Sequence, residues 1–68
     1  MRPHSSAIRF RREALNMSLR TLSSKTGIDR GHLSRVERGL AGLGDENIRK
    51  VAAALDATPD DITHKEIP

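Results

Sequence analysis

The sequence predicts an all-α fold, a compact bundle of about five short helices. Three observations predict it. The β signal is close to absent, with Phe10 as the single aromatic residue, few β-branched pairs and no run that alternates apolar with polar. Apolar residues recur instead at helical spacing, in segments bounded by capping residues and glycines. These residues are spread from Ile8 to Ile67, so one shared core can serve the chain. Its 68 residues are expected to make one small domain with no separate effector domain.

The first helix is expected from about Ser6 to Leu15, capped by Ser5 or Ser6, with Ile8, Arg12 and Leu15 on one stripe. Phe10 falls off that stripe and is expected to pack near Ile62 rather than in a dimer contact. The second helix runs from Ser18, its cap, to Thr26, with Leu19, Leu22, Ser23 and Thr26 on one face. Gly27 ends it, because a positive φ is least strained there. The third runs from Arg30 to Arg38 between a capping Asp29 and Gly39, with Leu33 and Val36 inward. Three glycines between Gly39 and Gly44 argue for a loop. The fourth helix runs from Asp45 to Leu55. Asp45 and Glu46 complement its positive end, and Ile48, Val51, Ala52 and Leu55 form its stripe. The fifth is short, Thr58 to Ile62, with Thr58 as cap and Pro59 in the first helical position. Residues 1–5 are expected to be an arm, 6–63 the folded domain and 64–68 a frayed tail. Helices of about nine residues are marginal alone, so tertiary packing must hold them.

Composition removes several classes of function. No cysteine occurs, which excludes a disulfide framework and a thiolate zinc site. No apolar run approaches the roughly 20 residues that span a bilayer, and no apolar signal core follows Met1, so a cytoplasmic protein with no membrane partner is expected. His4, His32 and His64 are isolated from one another, and no nucleophile elbow or phosphate loop surrounds any Ser, His or Asp. No catalysis, metal or cofactor is expected. Net charge is +3, unevenly distributed. Residues 1–38 hold nine Lys/Arg against three acids, and residues 39–68 hold three against six. A basic half joined to an acidic half suggests one face for a polyanion.

The run from Ser18 to Gly39 has the layout of a helix-turn-helix, two short helices joined by a turn that contains Gly27. Leu22, Ile28, Leu33 and Val36 can meet on its inner side, and Ser23 is small enough for close approach of the helices. At about 100° per residue, Gly31, Arg35 and Arg38 point most directly away from Leu33. A helix of this size fits the major groove, where arginine reads guanine O6 and N7 with two bonds.

These residues resemble the lambda-repressor/Cro-like (Xre) helix-turn-helix family. The match runs through Leu22-Ser23, Gly27-Ile28-Asp29, Leu33-Ser34-Arg35-Val36-Glu37-Arg38-Gly39 and Asn47-Ile48 to Ala54-Leu55, roughly residues 8–62 in all. The resemblance implies a lambda-repressor-like domain whose third helix is the reader. Arg30, Gly31, His32, Ser34 and Arg35 would then face base edges, although His32 also reads as an ordinary surface histidine. Arg38 and the loop to Gly44 would lie near phosphates. Further phosphate contacts are expected from Arg11, Ser18 and Arg20, with one or two of Arg2, Arg9 and Arg11 touching DNA. Leu19 stands where the family often has glutamine, so that contact is lost, and Asp29 stands where Ser or Thr is common. Glu37 lies near Leu33 on the helical wheel and needs a partner if it is buried. The resemblance pairs it with Arg12, a structural ion pair between the first and third helices. The implied function is sequence-specific binding of double-stranded DNA by a transcription regulator, a repressor above an activator. A homodimer on an inverted-repeat operator is expected, with Leu40, Leu43 and Ile67 as candidates for its surface. The alternative is an antitoxin or protein-interaction module that uses the same fold for a protein partner.

Overall fold

In the computed structural model, residues 1–64 are described. Four α-helices, a 3₁₀ helix and one minimal strand pair make up the described residues: β1 (Arg2–Pro3), α1 (Ser5–Ala14), α2 (Leu19–Thr26), α3 (Arg30–Glu37), α4 (Asp45–Ala54), the 3₁₀ helix (Pro59–Ile62) and β2 (Thr63–His64). The fifth helix is therefore 3₁₀ rather than α. Thr58 and Asp61 form a reciprocal capping box that closes a single tight turn, and four residues leave no length for α geometry.

Ile8, Leu22, Ile28, Leu33, Val36, Leu43, Ile48, Val51, Ala52, Leu55 and Ile62 form one core, to which every helix contributes. Each large side chain buried this way contributes about 1.5–3 kcal/mol. α2 packs against α3 and α4, α1 against α3, and both α1 and α4 against the 3₁₀ helix. Leu43 is buried at 8% exposure, so it belongs to the core and not to a dimer surface. Phe10 is 74% exposed and Leu15 47%, so neither packs inward. α1 stops at Ala14, where Leu15 is the C-cap, and the stripe thus reduces to Ile8 and Arg12. Ile67 lies outside the described residues.

Residues 2–4 are not a free arm, because they pair with the last described residues. β1 and β2 are antiparallel, with Arg2 opposite His64 and Pro3 opposite Thr63, and His4 N–H donates to the Ile62 carbonyl at 2.8 Å. His4, not Ser5 or Ser6, caps α1: its Nδ1 accepts from Ala7 N–H at 3.2 Å, and its ring stacks on His64 at 4.3 Å. The residues beyond His64 in the expected tail, 65–68, lie outside the described residues.

Two helix ends use left-handed residues that are not glycine. Asn16 and Asp56 both have φ of 54°. Met17 N–H reaches the Arg12 carbonyl at 3.0 Å, and Ala57 N–H reaches that of Ala52 at 2.9 Å. These are Schellman closures, in which Asn and Asp tolerate the left-handed region better than other non-glycine residues.

The turn between α2 and α3 is held by two hydroxyls of α2. Thr26 Oγ1 donates to the Leu22 carbonyl at 2.8 Å and accepts from Ile28 N–H at 3.2 Å. Ser23 Oγ donates to the Ile28 carbonyl. Both peptide groups of Ile28 are thereby satisfied while its side chain enters the core. Ser23 thus does more than leave space between helices. Gly27 supplies the left-handed C-cap, with φ of 75°.

Arg12 and Glu37 lock α1 to α3. Arg12 Nε and Nη2 donate to Glu37 Oε2 and Oε1 at 2.7 and 2.9 Å, and Nη1 donates to the Met17 carbonyl at 2.7 Å. The side chains keep 13% and 7% exposure. The hydrogen bonds and charge of Glu37 hold the Arg12 guanidinium above its ordinary pKa, against the opposing effect of burial.

Three outcomes are expected. Arg12→Met removes one partner of a nearly buried pair and lowers stability by about 2–4 kcal/mol in urea unfolding, while adding Glu37→Leu recovers most of the loss. A single variant that unfolds like the parent would remove this pair from the account of the fold. Asn16→Val, which forces a β-branched residue into the left-handed region, lowers the thermal midpoint by the equivalent of about 1–2 kcal/mol, whereas Asn16→Gly does not lower it. The Asp61 carboxyl is held below the usual range by the Thr58 backbone N–H, then the Thr58 hydroxyl and the charge of Arg11. Its contribution is complete above the unfolded value of ~3.9. That contribution is lost as pH falls through the lower folded value. Asp61→Asn should therefore flatten the acid limb of a stability profile below pH ~4, and an unchanged limb would contradict this.

Candidate nucleic-acid interface

α3 turns Leu33 and Val36 into the core and leaves Arg30, Gly31, Arg35 and Arg38 exposed, with His32 and Ser34 half-buried. Asp29 caps the helix. Its Oδ2 accepts from His32 N–H at 3.2 Å, so the carboxylate is turned to the helix end and not outward. Arg20, Ser23, Asp29, Arg30 and Gly31 line one shallow groove between the start of α2 and the start of α3. A Cβ added at Gly31 would stand 3.0 Å from Asp29 Oδ2 and 3.7 Å from Arg35 Nη1. The bare backbone at Gly31 therefore keeps the Arg35 guanidinium and the capping carboxylate close to one side of the helix.

Electrostatics separate the arginines of α1 from those of the helix-turn-helix. Those of α1 are each tied to a carboxylate: Arg9 to Glu13 at 2.8 Å, Arg11 to Asp61 at 3.6 Å and Arg12 to Glu37 at 2.7 Å. Among the described residues, Arg20, Arg30, Arg35 and Arg38 have no such ion pair. All four are exposed. They lie on α2, on α3 and at the α3 C-cap. Unpaired exposed guanidinium groups are available for phosphate or for the acceptor pair of guanine.

The other expected contacts have different surroundings. Arg11 lines a separate cleft with Ala7, Phe10, Leu55 and Asp61, away from the groove that Arg20 and Arg30 share. Ser18 is the N-cap of α2; its hydroxyl accepts from Thr21 N–H at 3.0 Å and donates to Thr21 Oγ1 at 3.0 Å. What remains at that end for an anion is the helix start itself. Gly44 is the N-cap of α4 with no side-chain cap, and Asp45 and Glu46 fill the first turn, so the positive end there is already partly neutralised. His32 directs Nε2 to the Gly42 carbonyl at 3.0 Å. Sequence reasoning places His32 on the reader flank but gives no sign of this bond. It joins residues ten apart across an irregular loop, beyond the reach of helical spacing.

Comparison with known proteins agrees with this geometry. A helix-turn-helix family model matches residues 8–62. An uncharacterized HTH-type transcriptional regulator of Sinorhizobium fredii, y4dL, is 43% identical over 49 residues, 72% of this chain and 25% of its own length. The chain thus spans about a quarter of that curated relative. The structure is similar to the restriction-modification controller protein C.AhdI from Aeromonas hydrophila, with TM-score 0.81 and 37% identity over 84% of this chain and 86% of that one. It is similar also to the P22 c2 repressor in complex with a synthetic operator, with TM-score 0.84 and 26% identity over 91% and 94%. With the match running from Ile8 in α1 to Ile62 at the end of the 3₁₀ helix, the chain belongs to the lambda-repressor-like helix-turn-helix family.

Proposed function

We propose that this chain is the DNA-reading part of a transcription regulator. It inserts α3 into the major groove of double-stranded DNA, and its output is repression by occlusion of polymerase. The observation that carries the reading is the set of unpaired exposed arginines, Arg20, Arg30, Arg35 and Arg38, on a helix-turn-helix whose remaining arginines in α1 are neutralised within the fold. In this reading Arg30, Ser34 and Arg35 meet base edges and Gly31 lets the helix sit close to them. Arg20, Arg38, the Ser18 helix start and the loop to Gly44 hold phosphates, with Arg11 as an outer contact once released from Asp61. The P22 c2 repressor, to which this fold is similar, was solved in complex with a synthetic operator, which supports double-stranded DNA as the partner. Two copies on an inverted repeat would place their reading helices one helical turn apart. Exposed Phe10, Leu15 and Leu40 offer apolar contact for a second copy. Among the described residues no helix is long and apolar enough to cross a membrane, and we place the protein with its DNA in the cytoplasm.

The test is retention of genomic fragments against random duplex at two salt concentrations. Specific retention that shares an inverted-repeat core supports the reading; binding that is blind to sequence and lost on a modest rise in salt leaves only the electrostatic contribution and overturns it. On the recovered sequence, Arg35→Ala should lose about 1–3 kcal/mol and relax preference at one base pair. Arg20→Ala should weaken all duplexes alike and lower the salt slope by about one.

A further inference from the structure

We propose that His32 does not read a base but is a positioning residue, which holds the loop between α3 and α4 in register with the reading helix. The proposal rests on the DNA-binding reading above for its consequence, but not for its geometry.

The loop has little else to fix it. Gly39 begins it at φ of 75°, and a Cβ at Gly42 or Gly44 would meet nothing within 4 Å. Leu40 N–H is held by the Arg35 carbonyl at 2.8 Å, but its side chain is 68% exposed. From there to the Ile48 N–H bond with Gly44, at 2.9 Å, no backbone–backbone bond ties down residues 41–43 among the described residues. Three anchors remain. Two are apolar, the Leu43 side chain in the core and Ala41 packed against it. The third is the 3.0 Å bond between His32 Nε2 and the Gly42 carbonyl, the one side-chain hydrogen bond to residues 40–44 among the described residues. A hydrophobic contact fixes position loosely, whereas a hydrogen bond fixes direction.

A carbonyl oxygen only accepts, so Nε2 carries the proton and donates. That commits the half-buried ring sideways along the protein surface and sets its donor against the loop, not against a base. The segment it holds connects Arg38 to Gly44, both assigned above to phosphates. Displacing that segment would weaken binding to every sequence alike. A lost base contact would instead relax one position of the operator.

Glutamine places an amide nitrogen at the same bond count from Cβ as Nε2, so His32→Gln keeps the donor and His32→Ala removes it. Backbone ¹⁵N relaxation of the free protein reads the loop without DNA. We expect order parameters at residues 41–43 near the rigid value of about 0.85 in the parent, below about 0.6 in His32→Ala, and restored in His32→Gln. On the specific duplex and its single-base variants, His32→Ala should weaken binding by about five- to tenfold throughout, with base preference unchanged and affinity recovered by Gln. Unchanged loop order in His32→Ala, or preference relaxed at one base pair, overturns the proposal. If the parent shows no specific duplex, the DNA-binding reading fails, and the relaxation data still decide the role of His32.

Discussion

The Arg12–Glu37 pair is the constraint on which the rest of the arrangement depends. A guanidinium offers donors in a fixed planar fork, and here the fork is divided among three parts of the chain. Nε and Nη2 meet Glu37 at the last residue of α3, Nη1 meets the Met17 carbonyl in the link to α2, and the side chain itself comes from α1. One planar group thus sets the distance and rotation of three helices at once. A nearly buried ion pair is no more stabilising than well-packed apolar residues of similar volume. Its value here is directional. Leu33 and Val36 could slide on the core by a fraction of a turn with little change in apolar area, but a bidentate fork 2.7 and 2.9 Å from its carboxylate could not. The outer face of α3 inherits that precision.

The other end of α3 is fixed by different chemistry. The turn residue Ile28 must bury its side chain while its peptide groups stay satisfied, and two small hydroxyls of α2 meet both needs. Asp29 then caps the helix through His32 N–H. The reading helix is therefore clamped at its first turn by Ser23, Thr26 and Asp29 and at its last residue by Arg12. Eight residues are too few to be helical alone, and clamping at both ends makes so short a helix a rigid presenter of side chains.

Much of this was legible in the sequence. The boundaries of α2 and α3 followed from Ser18, Gly27, Asp29 and Gly39, because caps and left-handed positions are local properties of a few residue types. The stripe of α4 and the buried partners Leu22, Leu33 and Val36 followed from periodicity. The misses share a physical cause, in that each depends on a neighbour distant in sequence. His4 caps α1 in place of a serine because the arm pairs with residues 63–64, which fixes the ring beside the helix start. Leu43 is buried inside a glycine-rich loop that local rules treat as exposed. Phe10 lies on the outer face, because α1 packs mainly against α3 and the 3₁₀ helix through its other side. Asn16 and Asp56 end helices without the glycine that local rules look for.

The distribution of ion pairs links the fold to its proposed use. A small domain has a stability of only a few kcal/mol, and a cluster of like charges reduces it through self-repulsion. Arg9, Arg11 and Arg12 avoid that loss with intramolecular partners. Arg20, Arg30, Arg35 and Arg38 do not, although acids are abundant in the second half of the chain. Asp45, Glu46, Asp60 and Asp61 sit at the starts of α4 and the 3₁₀ helix, where they complement helix ends, and no acid within ion-pair reach opposes the outer face of α3 among the described residues. The fold thus leaves the arginines of the helix-turn-helix unpaired and accessible. A phosphate backbone is the partner that relieves such repulsion while releasing its own counterions. The same separation that weakens the free domain therefore strengthens the complex, which accounts for a net charge of only +3 on a chain proposed to bind a polyanion.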